Sequence, residues 1–231
     1  MQSYCEQDAV VLHPATFLMM LIRYHESITR KALSKHFGLR ALQAILVANR
    51  KQDDLLTGQI GHDEYHYDND AIVASNRYLE GQRALTLSAV QNDATSTAWS
   101  AFGRLIHTAQ DFYAHSNYVD LWLSHHAGKG GMPPPPSEIA PLLDELVNSP
   151  ELHSGKLYYP WEVLAFIPGI KHLVLPLLPG DSHAHMHLDS PAQGKRFAYA
   201  FEAAVKRTGY EFDKTVAGMS SSQEALFTDL V

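Results

Sequence analysis

The sequence has only one cysteine, Cys5, among its 231 residues. A single thiol excludes a disulfide framework and any zinc site built from several cysteines. The chain also lacks an apolar run near the roughly 18 residues that a membrane-spanning helix needs. We therefore expect no transmembrane segment, and any metal site must use imidazole and carboxylate ligands.

Basic residues are scarce as well, with 18 Lys and Arg against 25 Asp and Glu and a formal net charge of −7. Because a protein that binds a nucleic-acid backbone normally presents a basic face, nucleic acid is the disfavoured partner, although bound cations can reverse the local charge. Near its start the sequence has Glu6 and Asp8, where a secretory signal would have Lys or Arg. We expect no Sec-type signal, which leaves the cytoplasm or export without a cleaved signal.

Histidine is the residue in excess, with 14 copies, and several stand beside Asp or Glu. Apolar residues recur every three or four positions in several segments, the period of an amphipathic helix. These segments are residues 14–33, 39–49, 71–90, 95–124, 137–147 and 190–215, and Asp93 is expected to cap the fourth. No alternating β pattern longer than a few residues occurs. We predict an all-α fold, with one domain over residues 1–231.

The predicted domain has about six to eight helices around a multinuclear metal cleft. Its irregular parts are a polar loop at 51–70 and loop insertions near 125–136 and 154–182. The second of these regions contains three glycines and four successive prolines, which exclude regular structure there.

Three ligand-type side chains stand four residues apart in the predicted helix 95–124, namely His107, Asp111 and His115. Four residues advance an α-helix about 40° past a full turn, so the three side chains form one stripe. Neighbouring positions are apolar, so the stripe is expected to be buried and to need a partner. It can bind metal, with Asp111 able to bridge two ions, or it can be two core histidines bonded to an aspartate.

Three other clusters combine histidine with acidic residues. They are Tyr24-His25-Glu26, the segment from Asp63 to Asn69 around His66, and the segment from Asp181 to Asp189 with His183, His185 and His187. A His-rich run such as 183–187 is also typical of a solvated tract. Together, however, the clusters provide enough donors for two or three metal sites with open positions, which metal-assisted hydrolysis requires.

Four blocks, in this order, resemble the zinc-dependent phospholipase C superfamily, which also contains the single-strand-specific zinc nucleases. The blocks are Tyr24-His25-Glu26-Ser27-Ile28-Thr29, His66-Tyr67-Asp68-Asn69, Gly103 through Asn117, and Gly180 through Pro191. The Het-C-like branch is the most similar in pattern. The third block is the most specific, because it adds Gln110, Tyr113, Ser116 and Asn117 to the spacing of the stripe.

The resemblance implies an all-helical protein with up to three Zn²⁺ ions at the bottom of a cleft. The implied ligands are His13, His25, His66, His107, Asp111, His115, His183 and Asp189. His66 and His107 would share one ion with Asp111, which would bridge to a second ion bound by His25. His115 would bind the third.

Two positions of the implied site have alternatives. The family has an acidic residue shortly before the His66 block, and here Asp53, with Asp54 as its rival, is expected to be a ligand or the base that takes a proton from the attacking water. The secreted members use their N-terminal amino group as a ligand. The His13 side chain is expected to replace that group, or else to pack beside Pro14.

The third ion also leaves a choice. The secreted enzymes place a histidine and the acid four residues apart, as in His185 and Asp189, whereas the Het-C-like pattern favours His183 with Asp189. The resemblance leaves both assignments open.

The activity that the resemblance implies is that of a zinc-dependent phosphodiesterase of the phospholipase C type, a hydrolase that degrades phospholipids. We expect Tyr113, Asn117 and Trp161 to contact the substrate. The apolar segment 158–178 leads into the His183 cluster. It is either a rim that admits acyl chains and touches a membrane peripherally, or a packed part of the core.

Two alternatives stay open. One is a zinc nuclease or phosphomonoesterase that uses the same metal cluster. The other is a Het-C-like protein that acts in incompatibility or antagonism, in which the metal site is structural or vestigial.

Overall fold

The structure, a computed structural model, describes residues 14–127, 132–165, 167 and 169–230. These residues form twelve α-helices and no β-strand, which confirms the predicted all-α fold. The helices are α1 (Pro14–Leu33), α2 (Leu39–Lys51), α3 (Asp63–His66), α4 (Ile72–Gln91), α5 (Thr95–His115), α6 (Tyr118–Ala127), α7 (Asp144–Val147), α8 (Trp161–Ala165), α9 (Lys171–Val174), α10 (His183–Met186), α11 (Arg196–Val216) and α12 (Ser221–Thr228). Five of them, α3 and α7 to α10, have only four or five residues.

Four short turns complete the regular structure of the described residues. They are a π-helical turn at Leu55–Gln59 and 3₁₀ turns at Pro136–Glu138, Leu175–Leu177 and Pro191–Gln193. Within the same residues, no helix is both long and apolar enough to cross a membrane.

The segment predicted as one helix over 95–124 is two helices, because Ser116 has an extended backbone with φ −108° and ψ 166°. Its hydroxyl donates to the carbonyl of Phe112 and accepts from the amide of Tyr118 at 3.3 Å, so one side chain satisfies both helix ends. Asp93 does not cap α5. The residue has a positive φ of 56°, and the N-cap of the helix is Ala94, which has no side chain that could cap it.

Two other predicted helices are shorter than expected. Over 137–147, only the turn at Pro136–Glu138 and α7 are helical, and Pro141 lies between them, where its ring cannot continue a helix. The segment that opens at Ser190 forms a 3₁₀ turn, and α11 begins only after Gly194, whose φ is 83°. Helix α12 was not predicted, although the capping box of Ser220 and Gln223 was a local signal for it.

Helix α5 is the centre of the fold, and α2, α4 and α11 pack against it. Gly103 allows α2 to pack closely on α5, because a Cβ atom at this position would lie 2.5 Å from the carbonyl oxygen of Ile45 in α2. A large apolar cluster surrounds α5 and extends from Ile28 in α1 to Phe227 in α12. The stripe of His107, Asp111 and His115 on α5 begins one turn after Gly103.

The region predicted as a loop insertion over 154–182 has its own small apolar cluster. Ala165, Val174 and Leu178 pack there with Ala184, the residue after His183. Helices α8 and α9 contact each other, and α8 also contacts α10. This part of the chain therefore forms a satellite that supports the His-rich segment.

Candidate metal centre

The stripe on α5 meets side chains from three other parts of the chain. His107 and Asp111 are buried at 0% and 1% exposure, and His115 at 9%. They face His25 from α1 and His66 from the end of α3. The sequence order thus separates groups that the fold brings together.

The most compact part of the centre is a triangle of ligand-type atoms. Asp111 Oδ2 lies 2.8 Å from His66 Nδ1 and 3.0 Å from His107 Nε2. The two imidazole nitrogens are 3.2 Å apart. Ligands of a tetrahedral zinc ion at 2.0–2.1 Å would lie about 3.3 Å from one another. The three separations are close to this value, and they are also the distances of hydrogen bonds in the absence of an ion.

Asp53 completes a first metal-type group with His66 and His107, and its Oδ1 lies 3.7 Å from His107 Nε2. Its rival Asp54 is exposed, whereas Asp53 is buried. The structure therefore brings Asp53, and not Asp54, to the centre.

A second group consists of His25, His107 and Asp111. His25 Nε2 lies 3.1 Å from Asp111 Oδ1, and the rings of His25 and His107 stack with centroids 4.4 Å apart. The two oxygens of Asp111 thus face different histidines, Oδ1 towards His25 and Oδ2 towards His66 and His107. This is the arrangement that a bridging carboxylate requires.

The third group contains Asp68, His115 and His183. Asp68 Oδ1 lies 3.3 Å from His115 Nδ1 and 3.7 Å from His183 Nε2. Asp68 was not among the predicted ligands, although it stands two residues after His66 in one of the recognised blocks. A His-x-Asp pair beside a metal-type cluster was the signal that could have found it.

Asp189 lies beside the third group rather than in it. Its Oδ1 is 3.2 Å from His115 Nε2, and its Oδ2 is 3.0 Å from His187 Nδ1. His183 is buried within the group, whereas the ring of the exposed His185 contacts the carbonyl of Leu175 at 2.9 Å. Of the two candidate histidines, the structure brings His183 to the centre.

A strained turn separates His66 from Asp68. Tyr67 and Asn69 have positive φ values of 58° and 54°, which are costly for residues other than glycine. Such strain persists only where the surroundings hold the chain in place, and it is common at functional sites. Here the Tyr67 hydroxyl donates to the side-chain oxygen of Asn76 at 2.7 Å, and the backbone N–H of Asn69 donates to the carbonyl of Gly155 at 2.8 Å.

The segment around Gly155 joins this turn to the third group. The amide of His183 donates to the carbonyl of Lys156 at 2.9 Å. A Cβ atom on Gly155 would lie 2.7 Å from the Cα of His183, so only glycine permits this close approach. At this crossing, where the segment of Gly155 passes close to His183, the chain holds Asp68 and His183 on the same side of the stripe.

Burial and neighbouring charges shift the pKa values of the centre in different directions. Burial opposes the charged form of His25, but the Asp111 carboxylate outweighs burial and raises the pKa of His25 to about 9. Burial likewise opposes ionisation of Asp111, yet His107 and His25 hold its pKa well below the ordinary value. For His183, burial dominates and lowers the pKa to about 4. A neutral imidazole keeps the lone pair that a metal ion needs.

Several buried polar atoms of the centre make no hydrogen bond within the described residues. They are Asp53 Oδ2, Asp68 Oδ1, His107 Nδ1 and Asp111 Oδ1. His25 Nε2 approaches Asp111 Oδ1 to 3.1 Å without the alignment of a hydrogen bond. Because buried polar atoms are almost always bonded, a cluster of exceptions calls for an explanation. Their nitrogen and oxygen donors fit zinc.

Three of the remaining predicted residues, Tyr113, Asn117 and Trp161, are not brought to the centre. His13 lies outside the described residues. Tyr113 is fully buried in the apolar core, where its hydroxyl donates to the carbonyl of Pro141, so its expected contact with substrate is wrong.

Asn117 and Trp161 also have other surroundings. The side chain of Asn117 donates to the carbonyl of Glu151 and accepts from the amide of His153, which fixes a loop rather than a substrate. Trp161 is 53% exposed on the satellite.

Comparison with known proteins gives a partial match. The family model described as VWA7 N-terminal domain matches residues 21–133, slightly under half of the chain. Von Willebrand factor A domain-containing protein 7 of Rattus norvegicus is 35% identical over 81 residues, which cover 35% of this chain and 9% of that protein. No solved structure matches the chain significantly. The matched range contains His25 and the whole stripe, whereas His183 lies beyond it.

Proposed function

We propose that the protein binds up to three Zn²⁺ ions and is a phosphodiesterase that hydrolyses phospholipids in the manner of a phospholipase C, as the resemblance to that superfamily implies. The observation that carries the proposal is the convergence of three buried carboxylates and five imidazoles into three groups. Within each group, the ligand atoms lie within 4.8 Å of one another. The names of the matched family and relative state no chemistry, so the proposal rests on the centre itself.

The residues of the centre would have different roles in this reaction. Bound zinc would supply Lewis acidity, which activates water and polarises phosphate oxygens at neutral pH. Asp111, whose two oxygens face different histidines, would hold metal together with His25 on one side and with His66 and His107 on the other. Asp53 has one oxygen near His107 and one buried oxygen without a partner, so it is the carboxylate placed to accept a proton. Asp68 would complete the third group.

A cleft beside the centre supports a lipid substrate. It is a small recess that is open to solvent, and its wall contains His25 and Asp189. Most of the remaining wall is apolar, with Ile28, Phe197 and Phe201, and none of its described residues is Lys or Arg. An apolar wall suits the hydrocarbon part of a phospholipid, and peripheral membrane contact is part of the proposal. A nucleic-acid strand would instead need a basic track.

A structural metal centre is the second candidate, and the depth of the first group favours it. His66, His107 and Asp53 are 4%, 0% and 7% exposed, so a metal ion there would have little contact with solvent. In that case the ions would stabilise the fold and no substrate would turn over.

Elemental analysis of untagged protein, combined with three substrates, tests the proposal. Phosphatidylcholine, single-stranded DNA and bis(p-nitrophenyl) phosphate are each assayed with and without chelator. We expect two or three zinc ions per chain and chelator-sensitive turnover of phosphatidylcholine. Turnover of DNA alone would replace the lipid substrate with nucleic acid. Bound zinc without any turnover would favour the structural centre, and absence of zinc would contradict both.

A further inference from the structure

Exposed apolar side chains are concentrated on the satellite. Of the twelve large hydrophobic residues that are exposed in the described part of the chain, five lie within residues 159–177. They are Tyr159, Trp161, Ile167, Leu173 and Leu177. Single exposed apolar residues are ordinary, but a group of this kind on one short segment marks an interaction surface. We call residues 158–178 the apolar hairpin.

The apolar hairpin has an inner face that packs on the satellite cluster and an outer face that is exposed. Val174 and Leu178 are buried in the satellite cluster, whereas Leu173 and Leu177 are 63% and 72% exposed. The exposed pair, like the buried pair, is four residues apart and so follows one side of the turn from α9 into Leu175–Leu177. The inner face already holds the hairpin to the protein, so the outer leucines are not needed for that packing.

The charges of the hairpin identify a lipid surface as the occupant. The chain has a net charge of −7, yet the hairpin contains only two residues of fixed charge, Glu162 and Lys171. Glu162 is 1% exposed, so the charge at the surface is the single cation of Lys171. An apolar surface with Tyr, Trp and one cation, and without an exposed carboxylate, suits the boundary between phosphate headgroups and acyl chains.

The hairpin is also connected to the metal-type centre. Glu162 accepts a hydrogen bond from the amide of Ala184, next to His183, and the His185 ring contacts the carbonyl of Leu175. Helix α10, which contains His183, is therefore fixed directly on the inner face of the hairpin. A surface bound by the outer face would lie close to the third group.

We propose that the apolar hairpin docks the protein on a phospholipid surface, with Trp161, Leu173 and Leu177 entering the boundary between headgroups and acyl chains. This inference deepens the proposed function, because it assigns the membrane contact to particular residues. Since apolar burial dominates, docking needs no anionic lipid and depends weakly on salt.

Trp161 provides a direct test, because the other two tryptophans, Trp99 and Trp122, are 5% and 2% exposed. The full chain is mixed with phosphatidylcholine vesicles that contain dibrominated acyl chains, in the presence of zinc and in excess chelator. We expect a blue shift and quenching of the emission under both conditions, and loss of both in Trp161→Phe. The double variant Leu173→Ser and Leu177→Ser should bind vesicles at least tenfold more weakly.

The matched control is Leu39→Ser, since Leu39 is 88% exposed on α2 and lies outside the hairpin. This variant should bind vesicles as the unchanged protein does. The proposal would be overturned if lipid did not quench the emission, or if Leu39→Ser lost as much vesicle binding as the double variant. It would also be overturned if a concentration-dependent dimer shifted the Trp161 emission without lipid. Turnover of soluble bis(p-nitrophenyl) phosphate measures the metal centre separately. Quenching without that turnover would therefore reject the phosphodiesterase and leave docking intact.

Discussion

Nδ1 of His25 donates a hydrogen bond of 2.7 Å to Oε1 of Gln110, and this contact selects the nitrogen that faces Asp111. The orientation of the Gln110 amide is fixed from its other end. Its Nε2 donates at 3.1 Å to the hydroxyl of Thr208, which itself donates to a backbone carbonyl. Oε1 of Gln110 must therefore accept, so Nδ1 of His25 carries a proton, and Nε2 is the nitrogen that faces Asp111 and that would bind metal once it loses its own proton.

Replacement of Gln110 by leucine should weaken zinc binding by about 10- to 100-fold, since a partner that orients a histidine ligand typically contributes that much. Competition with a chromophoric chelator measures the change. Thr208→Val is the control, because Nε2 of Gln110 keeps its bond of 3.0 Å to the hydroxyl of Thr29, so the amide stays oriented and its contact with His25 remains. An unchanged zinc affinity in Gln110→Leu would contradict the role of this side chain.

Asp111→Asn should remove at least one zinc ion and most of any phosphodiesterase activity. Asparagine keeps the shape of the side chain but lacks the negative charge and one of the two oxygens that face His25 and His66. Asp54→Asn is the matched control, since Asp54 is an exposed neighbour of the centre. Elemental analysis and the phosphatidylcholine assay measure the two effects. Full activity of Asp111→Asn would refute the assignment.

The third group predicts different results for neighbouring residues. His183→Ala and Asp68→Asn should each lower the zinc content by about one ion, because both side chains contribute to the same group. His185→Ala should retain zinc, since its ring contacts the carbonyl of Leu175 and is not part of the third group. Metal content of the purified variants decides the question. Unchanged zinc in both histidine variants would remove the third site from the proposal.

Removal of metal should destabilise the protein. An ion present at 100 times its dissociation constant stabilises the folded state by about 2.7 kcal/mol, which in a chain of this size raises Tm by roughly 5–10 °C per site. Calorimetry with zinc and with chelator measures the shift, and Asp111→Asn should show a smaller one. Equal Tm values for the unchanged protein in both conditions would argue against any metal site.

Two glycines offer a test of the core. Gly103→Ala would bring a Cβ atom to 2.5 Å from the Ile45 carbonyl oxygen, so α2 and α5 must separate, and we expect a loss of about 1–3 kcal/mol. Gly81→Ala, in α4, meets nothing within 4 Å and should stabilise the helix by about 1 kcal/mol. Urea unfolding of both variants measures the difference. Similar effects would show that the helix crossing tolerates a side chain.

The sequence predicted the parts of the fold that repeat at helical period. Helix α1 has the predicted bounds, and the spacing of His107, Asp111 and His115 correctly indicated a buried stripe. Spacing carries this information because it is local. The break at Ser116 was missed, since the apolar period continues through it and only a side-chain bond at the helix ends reveals the interruption.

A residue of the site was predictable where it belongs to a sequence motif. It was not predictable where a turn of the backbone brings it to the centre. Asp68 reaches His115 only because Tyr67 adopts a left-handed backbone, and a single sequence does not reveal a positive φ at tyrosine. Tyr113 fails for the opposite reason. It belongs to the most specific block but lies off the stripe, on the part of α5 that faces the core.

The crossing at Gly155 has a consequence for how the protein would respond to a shortage of zinc. The turn with Asp68 and the helix with His183 are joined there by backbone hydrogen bonds, and neither segment is itself part of a long helix. Segments of this kind open locally at lower free energy than a packed core. In zinc-poor conditions they would exchange amide hydrogens and admit proteases first, while α5 and its neighbours stay closed.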